Sequence, residues 1–582
     1  MTAYELYREI WATDCEWGFR NGRPDHESEW VPLVFCLVGL RSGTRYSFWG
    51  ADPRLKQFVL DHADDLFVSH NNVAEMKYLL RLGIPLPAHW FDTFVAERWR
   101  TNAPGNLEAG LSVALHRRGL PNLAPAAKTE LQQRILHLRF DPESPEDRRE
   151  ITAYCFSDCD GAAALYTRLA DVVRPETMAW WTEFLKAVAR MEIRGIPIDL
   201  DAYGALRARF PEIREAVCAD ANQTWPVFVG RSFQRKQFLA WLRHSSIAWP
   251  VTESKTTGRR TLSFNRKMFS EMTHRHPFIA EVKEVKALLA QFGRRSLVVD
   301  PVTRRHYYQT HTFRSITGRN QPKKFIFSCP KWLRFTIVSE SPDHVLVYVD
   351  YVAQEIGIAA ALSGDTAMRE IYCASDCHMA AAIRAGAAPA GATKKTHPEA
   401  RKRFKAVNLG TLYGQTAIGI AQRLGICHAE AEALLTAHRR MFPIYWSWSE
   451  RMVQGAFDRG EIRTPCGWRS IVPPFSNERT WMNWPMQAAG GDIMRLTLVY
   501  LDRQNVRIMA PVHDGFLLSC HRDKLADLRA AVNYACQQAV EHVLPGFPLR
   551  WEFSEYGDRF DDEDGANMWS RLQTAMREPS HA

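Results

Sequence analysis

The sequence predicts a multidomain α/β protein, and three observations carry that expectation. The chain has 582 residues, too many for one hydrophobic core, so three or four compact units are expected. Its hydrophobic share of 46% is that of a globular chain rather than a disordered one. Short β-branched apolar runs alternate with helix-periodic stretches along most of its length.

Residues 1 to about 170 alternate runs such as Trp30–Leu40 and Asp64–His70 with helical patterns, which reads as an α/β unit. Pro175 to Arg194 reads as a helix, ended by Gly195 and Pro197. Residues 200 to about 290 read as mostly helical, with a basic, turn-rich insert at Glu253–Arg260. That insert suits either a loop touching a nucleic-acid backbone or a solvated loop. From about 300 the pattern changes. A strand-like run, His344–Asp350, leads into the helix-like Gln354–Leu362, and a long helical region follows from about Asp365 to about Arg459. Two strands then return, Val506–Val512 and Phe516–Cys520, joined through His513, Asp514 and Gly515. An Asp-Gly pair between apolar runs is a hairpin signal, and it sets Asp514 at or beside the tip.

Net charge is +9, which suits a polyanionic partner. The twelve cysteines are scattered. Cys155 and Cys159, like Cys373 and Cys377, lack zinc-ribbon spacing, so free thiols in a reducing compartment are expected. The polar stretch Met1–Trp11 does not read as a signal peptide, and no apolar run of about 18 residues exists to span a membrane. The expected location is the cytoplasm, or a host cytoplasm for a phage-encoded chain.

Three C-terminal segments carry chemistry. Val345–Glu355 and Pro511–Ser519 each place an aspartate, Asp350 and Asp514, at the end of an apolar strand-like run. Arg401–Gly414 places Arg401, Lys405, Leu409 and Tyr413 in steps of four, one slowly winding ridge of a helix. Two carboxylates for divalent metals and two cations for phosphates are the equipment of phosphoryl or nucleotidyl transfer. Taken singly, Asp350 could cap a helix, Asp514 could be a turn residue and the cations a solvated face. Near the N-terminus, Asp14 and Glu16 share one face of a probable strand. His70, Asn71 and Glu75 open a helix, and Tyr154 and Asp158 lie one helical turn apart. Four carboxylates and a tyrosine could build a two-metal hydrolytic site. Strand-end acids, a capping box and a surface pair are the ordinary alternatives.

At these residues the chain resembles the family A DNA polymerases. The D-Y-S-Q-x-E pattern is met at Asp350, Tyr351 and Glu355, and R-x-x-x-K-x-x-N-x-G-x-x-Y-G at Arg401, Lys405, Asn408, Gly410, Tyr413 and Gly414. V-H-D is met at Val512, His513 and Asp514, T-G-R at Thr317–Arg319, and R-x-x-x-N-x-P-x-Q at Arg479, Asn483, Pro485 and Gln487. Thr464–Arg469 and Met191–Asp199 also match family hallmarks. The N-terminal order D-x-E, H-N-x-x-x-acid, Y-x-x-x-D resembles the 3′–5′ proofreading exonuclease domain of the same polymerases.

The resemblance implies a ribonuclease H-like exonuclease domain at 1–174 and a right-hand polymerase after it. Thumb and connecting helices would occupy 175–300, the palm 301–365 and 470–582, and the fingers 366–469. Asp350 and Asp514 would hold two Mg2+ ions, with Mn2+ as a substitute. Lys405 would serve in catalysis. Arg401, Tyr413, Glu355, Leu409 and Gln354 would bind the incoming nucleotide, Glu355 favouring deoxynucleotides. Arg319, Arg479, Asn483, Gln487 and His513 would line the DNA path. Asp14, Glu16, Glu75 and Asp158 would hold the exonuclease metals, with Tyr154 orienting water. The implied partners are primer–template DNA, dNTPs and replisome proteins, met by a monomer. With Asp14 close to the start, a phage replicative enzyme is expected.

Several positions depart from the pattern. Glu75 stands where Asp is usual, Leu409 where an aromatic is usual, Gly515 where a glutamate often follows, Ala353 where a glutamine often stands and Gly357 where an arginine often stands. These leave open weak or absent proofreading and adaptation to a modified-base genome. A nuclease that merely binds DNA through its second half, an RNA polymerase and a non-catalytic DNA-binding scaffold are the other classes.

Overall fold

The computed structural model describes residues 6–22, 26–106, 108–121, 125–253, 258, 260–289 and 297–577. Most of the basic insert at 253–260 lies outside them.

The N-terminal unit is built on a five-stranded sheet, β1 (Ile10–Phe19), β2 (Trp30–Gly39), β3 (Arg45–Trp49), β4 (Leu66–Ser69) and β5 (His89–Asp92), in the order β3-β2-β1-β4-β5. The first three strands are antiparallel, while β4 and β5 run parallel to β1. Around it lie α1 (Pro53–Asp61), α2 (Val73–Arg81), α3 (Thr93–Thr101), α4 (Leu111–Arg117), α5 (Pro125–Leu136) and α6 (Pro145–Leu169). The two-residue period of the strands sorts their side chains into two cores. Cys15, Phe35 and Leu37 join the large core, with Met76 of α2. Val34 and Cys36 join a smaller one with Tyr154, Cys155 and Cys159 of α6. Asp14 pairs with Cys36 and Glu16 with Val34 across β1 and β2, so both acids face α6.

Helix α7 (Pro175–Arg194) starts on proline, as the first helical position tolerates, and ends at Gly195, whose φ of +62° suits glycine. It packs against α2 and β5 on one side and against the second half of the chain on the other. Its Glu192 accepts from Lys77 at 2.8 Å, and Arg194 donates to the Ile508 carbonyl at 2.7 Å. Then come α8 (Leu200–Ala208), α9 (Phe210–Thr224), α10 (Arg235–His244), α11 (Arg266–Arg275) and α12 (Ile279–Leu289).

The second half is centred on a four-stranded antiparallel sheet. Its strands are β6 (His344–Tyr351), β7 (Arg507–Val512), β8 (Gly515–His521) and β9 (Trp551–Tyr556), in the order β7-β8-β6-β9. Between β6 and β7 run α13 (Gln354–Ser363), α14 (Thr366–Cys373), α15 (Cys377–Arg384), α16 (Pro398–Leu412), α17 (Ala417–Leu424), α18 (His428–Met441), α19 (Pro443–Arg459) and α20 (Glu478–Arg503). Helices α20 and α21 (Leu525–Val543) pack on each other beneath the sheet, and α22 (Glu563–Arg577) closes against α9. Helix α11 touches α17, so these two lobes meet beyond the sheet.

The helical lobe contains a buried histidine with a readable protonation state. The Trp446 indole donates to Nδ1 of His438 at 3.2 Å, so Nε2 carries the hydrogen and faces the Thr411 hydroxyl at 3.2 Å. Burial pushes its pKa down to about 3. Between that value and about 6.5 the unfolded chain binds more protons than the folded one, so this stabilisation is complete above about pH 6.5 and fades as pH falls. Denaturation midpoints are therefore expected to drop on acidification from pH 7 to 5, with His438 contributing at most about 1.4 kcal/mol per pH unit. A His438→Gln variant, measured alongside, should show a shallower slope.

Candidate active site

Strand β6 delivers Asp350 to its C-terminal end, and the β7–β8 turn delivers Asp514 beside it. Asp350 pairs in register with Gly515 of β8 and with Glu552 of β9. The backbone N–H of Tyr351 donates to the Asp514 carbonyl at 3.1 Å, fixing the turn against the strand end. The turn differs in detail from the sequence expectation. His513 and Asp514 form it, His513 takes the positive φ of +56°, and Gly515 is already the first strand residue.

Gly515 is explained by space. A Cβ there would lie 2.5 Å from the Val349 carbonyl oxygen and 2.7 Å from Tyr348 Oη. The Tyr348 ring fills the place where a following glutamate would stand, and Glu552 supplies a carboxylate from the neighbouring strand instead. Gly515→Ala is expected to cost about 1–3 kcal/mol of stability, measured by chemical denaturation, because backbone oxygen cannot yield as a side chain can.

Burial, then the neighbouring carboxylates of Asp514 and Glu552, push the Asp350 carboxyl up to about 7. Its Oδ1 is buried with no hydrogen-bond partner. Crowded acids with an orphaned oxygen suit a divalent cation, which would supply the missing charge.

Asp514, Glu552, Gln354, Glu355, Arg401, Lys405, Leu409 and Tyr413 line one cavity of about 510 Å³. The turn from β6 into α13 passes through Ala353 at a φ of +45°, which carries Gln354 and Glu355 to the cavity wall. Gln354 is 1% exposed, and neither polar atom of its amide is hydrogen-bonded within the chain. The Tyr413 hydroxyl donates to Glu355 at 2.9 Å and accepts from Gln487 at 2.7 Å, and Gln487 also contacts Glu355. Burial raises the Glu355 carboxyl, offset in part by the Tyr413 hydrogen bond.

Helix α16 carries the cations. Arg401 donates to Asp376 at 2.5 Å. Asp376 caps α15 by accepting from the backbone N–H groups of His378 and Met379. Burial works to raise the Asp376 carboxyl, but Arg401 and these N–H groups hold it below the usual range. His378 also lines the cavity, its pKa pushed down to about 4 by burial and by the Arg401 charge. Asp376, His378 and Glu552 were not singled out from the sequence. The Asp-x-His spacing at a helix start was their available signal. Nothing local marks Glu552, because its proximity to Asp350 depends on strand order.

Arg319 lies behind this wall and donates from Nε to the Gln487 carbonyl at 3.0 Å. Its turn needs Gly318, with φ +72°, where a Cβ would sit 2.8 Å from Trp468 Nε1. The Thr317–Arg319 and Thr464–Arg469 motifs thus meet as one packing unit, with the Trp468 indole donating to the Ile316 carbonyl at 3.3 Å. Arg319 and His513 line a second cavity of about 350 Å³. Asn483 and Gln487 follow Arg479 at four-residue steps along α20. Arg479 is exposed in the first turn, while Asn483 is buried and helps hold the Tyr413 hydroxyl.

In the N-terminal unit, Asp14, Glu16 and Asp158 bring one carboxylate oxygen each within 4.8 Å of one another. Burial and mutual repulsion push the Asp14 and Glu16 carboxyls well above their usual range. Asp14 Oδ2 is buried without a partner, so this trio also fits a divalent cation. The Tyr154 hydroxyl, one turn before Asp158 on α6, accepts from Gln132 at 3.0 Å.

Glu75 does not join the cluster, contrary to the expectation from sequence. It accepts from the Ser69 hydroxyl at 2.9 Å and faces the Cys15 thiol at 4.0 Å. Cys15 points to the opposite side of β1 from Asp14 and Glu16, and burial, then the Asp14 charge, push the Glu75 carboxyl well above its usual range. His70 and Asn71 precede α2 rather than opening it. The backbone N–H groups of Asn71 and Asn72 donate to Asp92 at 3.1 and 2.9 Å, anchoring that turn. Asp160 pairs with Arg45 at the surface, 2.7 Å apart.

The sequence model described as DNA polymerase family A matches residues 236–560. The chain is 26% identical over 394 residues to a thermostable DNA polymerase I of Thermus filiformis, covering 62% of this chain and 45% of that protein. It is 27% identical over 223 residues to a DNA polymerase I of Lactococcus lactis subsp. cremoris, covering 35% and 25%. The matched segments thus span less than half the length of these relatives. Among solved structures, the POL domain of Pol1 from M. smegmatis, in complex with DNA primer-template and dNTP, shares the fold with a TM-score of 0.72. Its identity is 20%, over 97% of each chain. With more than half of its length matched by that family's sequence model, the chain belongs to DNA polymerase family A.

Proposed function

We propose that the chain is a template-directed DNA polymerase with a 3′–5′ hydrolytic centre in its N-terminal unit. The observation that carries the polymerase reading is the meeting of Asp350 and Asp514 beside a cavity that Arg401 and Lys405 also line. Four-stranded sheet, helical lobe at 366–459 and helical segment at 200–289 would then be palm, fingers and thumb. The α7 helix would link them to the N-terminal unit.

Divalent metal ions held by Asp350 and Asp514, when bound, would activate the primer 3′-hydroxyl and neutralise the departing pyrophosphate. The remaining work falls to the chain. Arg401 would release Asp376 and pair with the triphosphate, since a phosphate offers more charge than one carboxylate. Lys405, one turn away, would bind the same group and give a proton to pyrophosphate as it leaves. Glu355, held by Tyr413 and Gln487, would fill the space beside the sugar and disfavour a 2′-hydroxyl. Gln354, with both amide atoms free inside the chain, would meet the substrate edge.

For the N-terminal unit, Asp14, Glu16 and Asp158 support hydrolysis of a 3′-terminal phosphodiester, with Tyr154 set beside them to orient water. The test is a labelled primer–template with each dNTP or rNTP and Mg2+ or Mn2+. Lengthening with dNTPs and not with rNTPs is the expected result. Lengthening with rNTPs alone would make it an RNA polymerase, and binding without lengthening under any metal would end the reading.

A further inference from the structure

Lys128 of α5 lies inside the N-terminal acid cluster. Its Nζ donates to both carboxylate oxygens of Asp158, at 2.6 and 2.8 Å. The residue is 9% exposed, and its ammonium stands 5.5 Å from the centre of the Tyr154 ring. Four residues on, Gln132 donates to the Tyr154 hydroxyl. One face of α5 therefore engages both functional side chains of α6.

Charge and ligand count point the same way. Three carboxylates converge here, and the fourth, Glu75, lies outside that trio, near enough to be raised by the Asp14 charge but held by Ser69 and facing Cys15. A second divalent ion here would need the oxygens of Asp158. The ammonium takes the Asp158 oxygens and repels a second ion placed next to it. Asp14, with its orphaned Oδ2, and Glu16 remain for one ion.

We infer that Lys128 is the built-in cation of this centre, standing in for one of two metal ions, so that the centre takes a single divalent ion on Asp14 and Glu16. The inference rests on the hydrolytic reading given above. In the reaction a water oxygen bonds to the terminal phosphorus as the P–O3′ bond breaks. The water gives up a proton, the O3′ of the shortened strand takes one, and a nucleoside 5′-monophosphate leaves. Lys128 would neutralise the charge that gathers on the phosphoryl and leaving oxygens, as a metal does elsewhere.

The experiment counts Mn2+ bound per chain, by the loss of the free-ion electron paramagnetic signal. The full chain carries Asp350→Asn and Asp514→Asn so that the other centre is silent. One ion is expected with Lys128 present, one with Lys128→Arg, and two with Lys128→Met. With Mn2+ limited to one ion per chain, degradation of a single-stranded 3′ end should fall at least tenfold in Lys128→Met and be kept in large part by Lys128→Arg. Two ions with Lys128 present, an unchanged count in Lys128→Met, or faster degradation in Lys128→Met would overturn the inference, the last showing that lysine only plugs the site. If no variant degrades DNA, the hydrolytic reading falls, while the ion count still decides the role of Lys128.

Discussion

Asp350→Ala and Asp514→Ala are each expected to lower primer extension by at least about a thousandfold, with the primer–template still bound. On the proposed metal-holding role, loss of either carboxylate removes several kcal/mol of charge stabilisation from the transition state, and each 1.36 kcal/mol is about tenfold in rate. Binding should survive because it draws on many cationic contacts to phosphate and falls with salt. The measurement is single-turnover extension beside a titration of labelled DNA. The two variants should fail alike, since the carboxylates sit side by side at paired strand ends and act as one unit. Extension within tenfold of the unaltered chain in either variant would remove the site from consideration.

Asp14→Ala is expected to abolish degradation of a 3′ end, by about three orders of magnitude, while extension by the same protein stays within about twofold. Asp14 lies on β1 of the N-terminal sheet, and the proposed extension centre lies on a separate sheet of the second half. Coupling between distant sites without shared partners is usually small. The measurement is shortening of a labelled single strand beside extension of a matched primer. Glu75→Gln supplies the contrast. Glu75 is held by Ser69 and lies outside the three converging carboxylates, so this variant should degrade DNA at close to the original rate. Equal losses in the two variants would return Glu75 to the metal site.

Much of this molecule was legible in the sequence because its signals are local. A β-branched run ending in Asp350, two apolar runs flanking His513–Gly515, and a proline-to-glycine span from Pro175 to Gly195 each depend on neighbours in the chain. The four-residue steps through Arg401, Lys405, Leu409 and Tyr413 needed only helix geometry, and all four line the cavity. Face alternation likewise set Asp14 and Glu16 together.

What lay beyond reach depends on contacts between elements far apart in the chain. Spacing alone brought Glu75 within reach of a metal, yet whether a side chain on α2 passes to one face of β1 or the other is fixed by how the helix docks. Glu552 opposes Asp350 only because β9 pairs with β6 across some two hundred intervening residues. Gly515 looked like a lost carboxylate until the Tyr348 ring was seen to occupy its space. Lys128, an unremarked lysine on a mixed-polarity helix, becomes the partner of Asp158 by packing alone. The sequence by itself determined the elements and the residue chemistry, since hydrophobic period and turn chemistry act over a few residues. The tertiary structure decided which charges meet, because sheet order and helix docking set distances that no local pattern encodes.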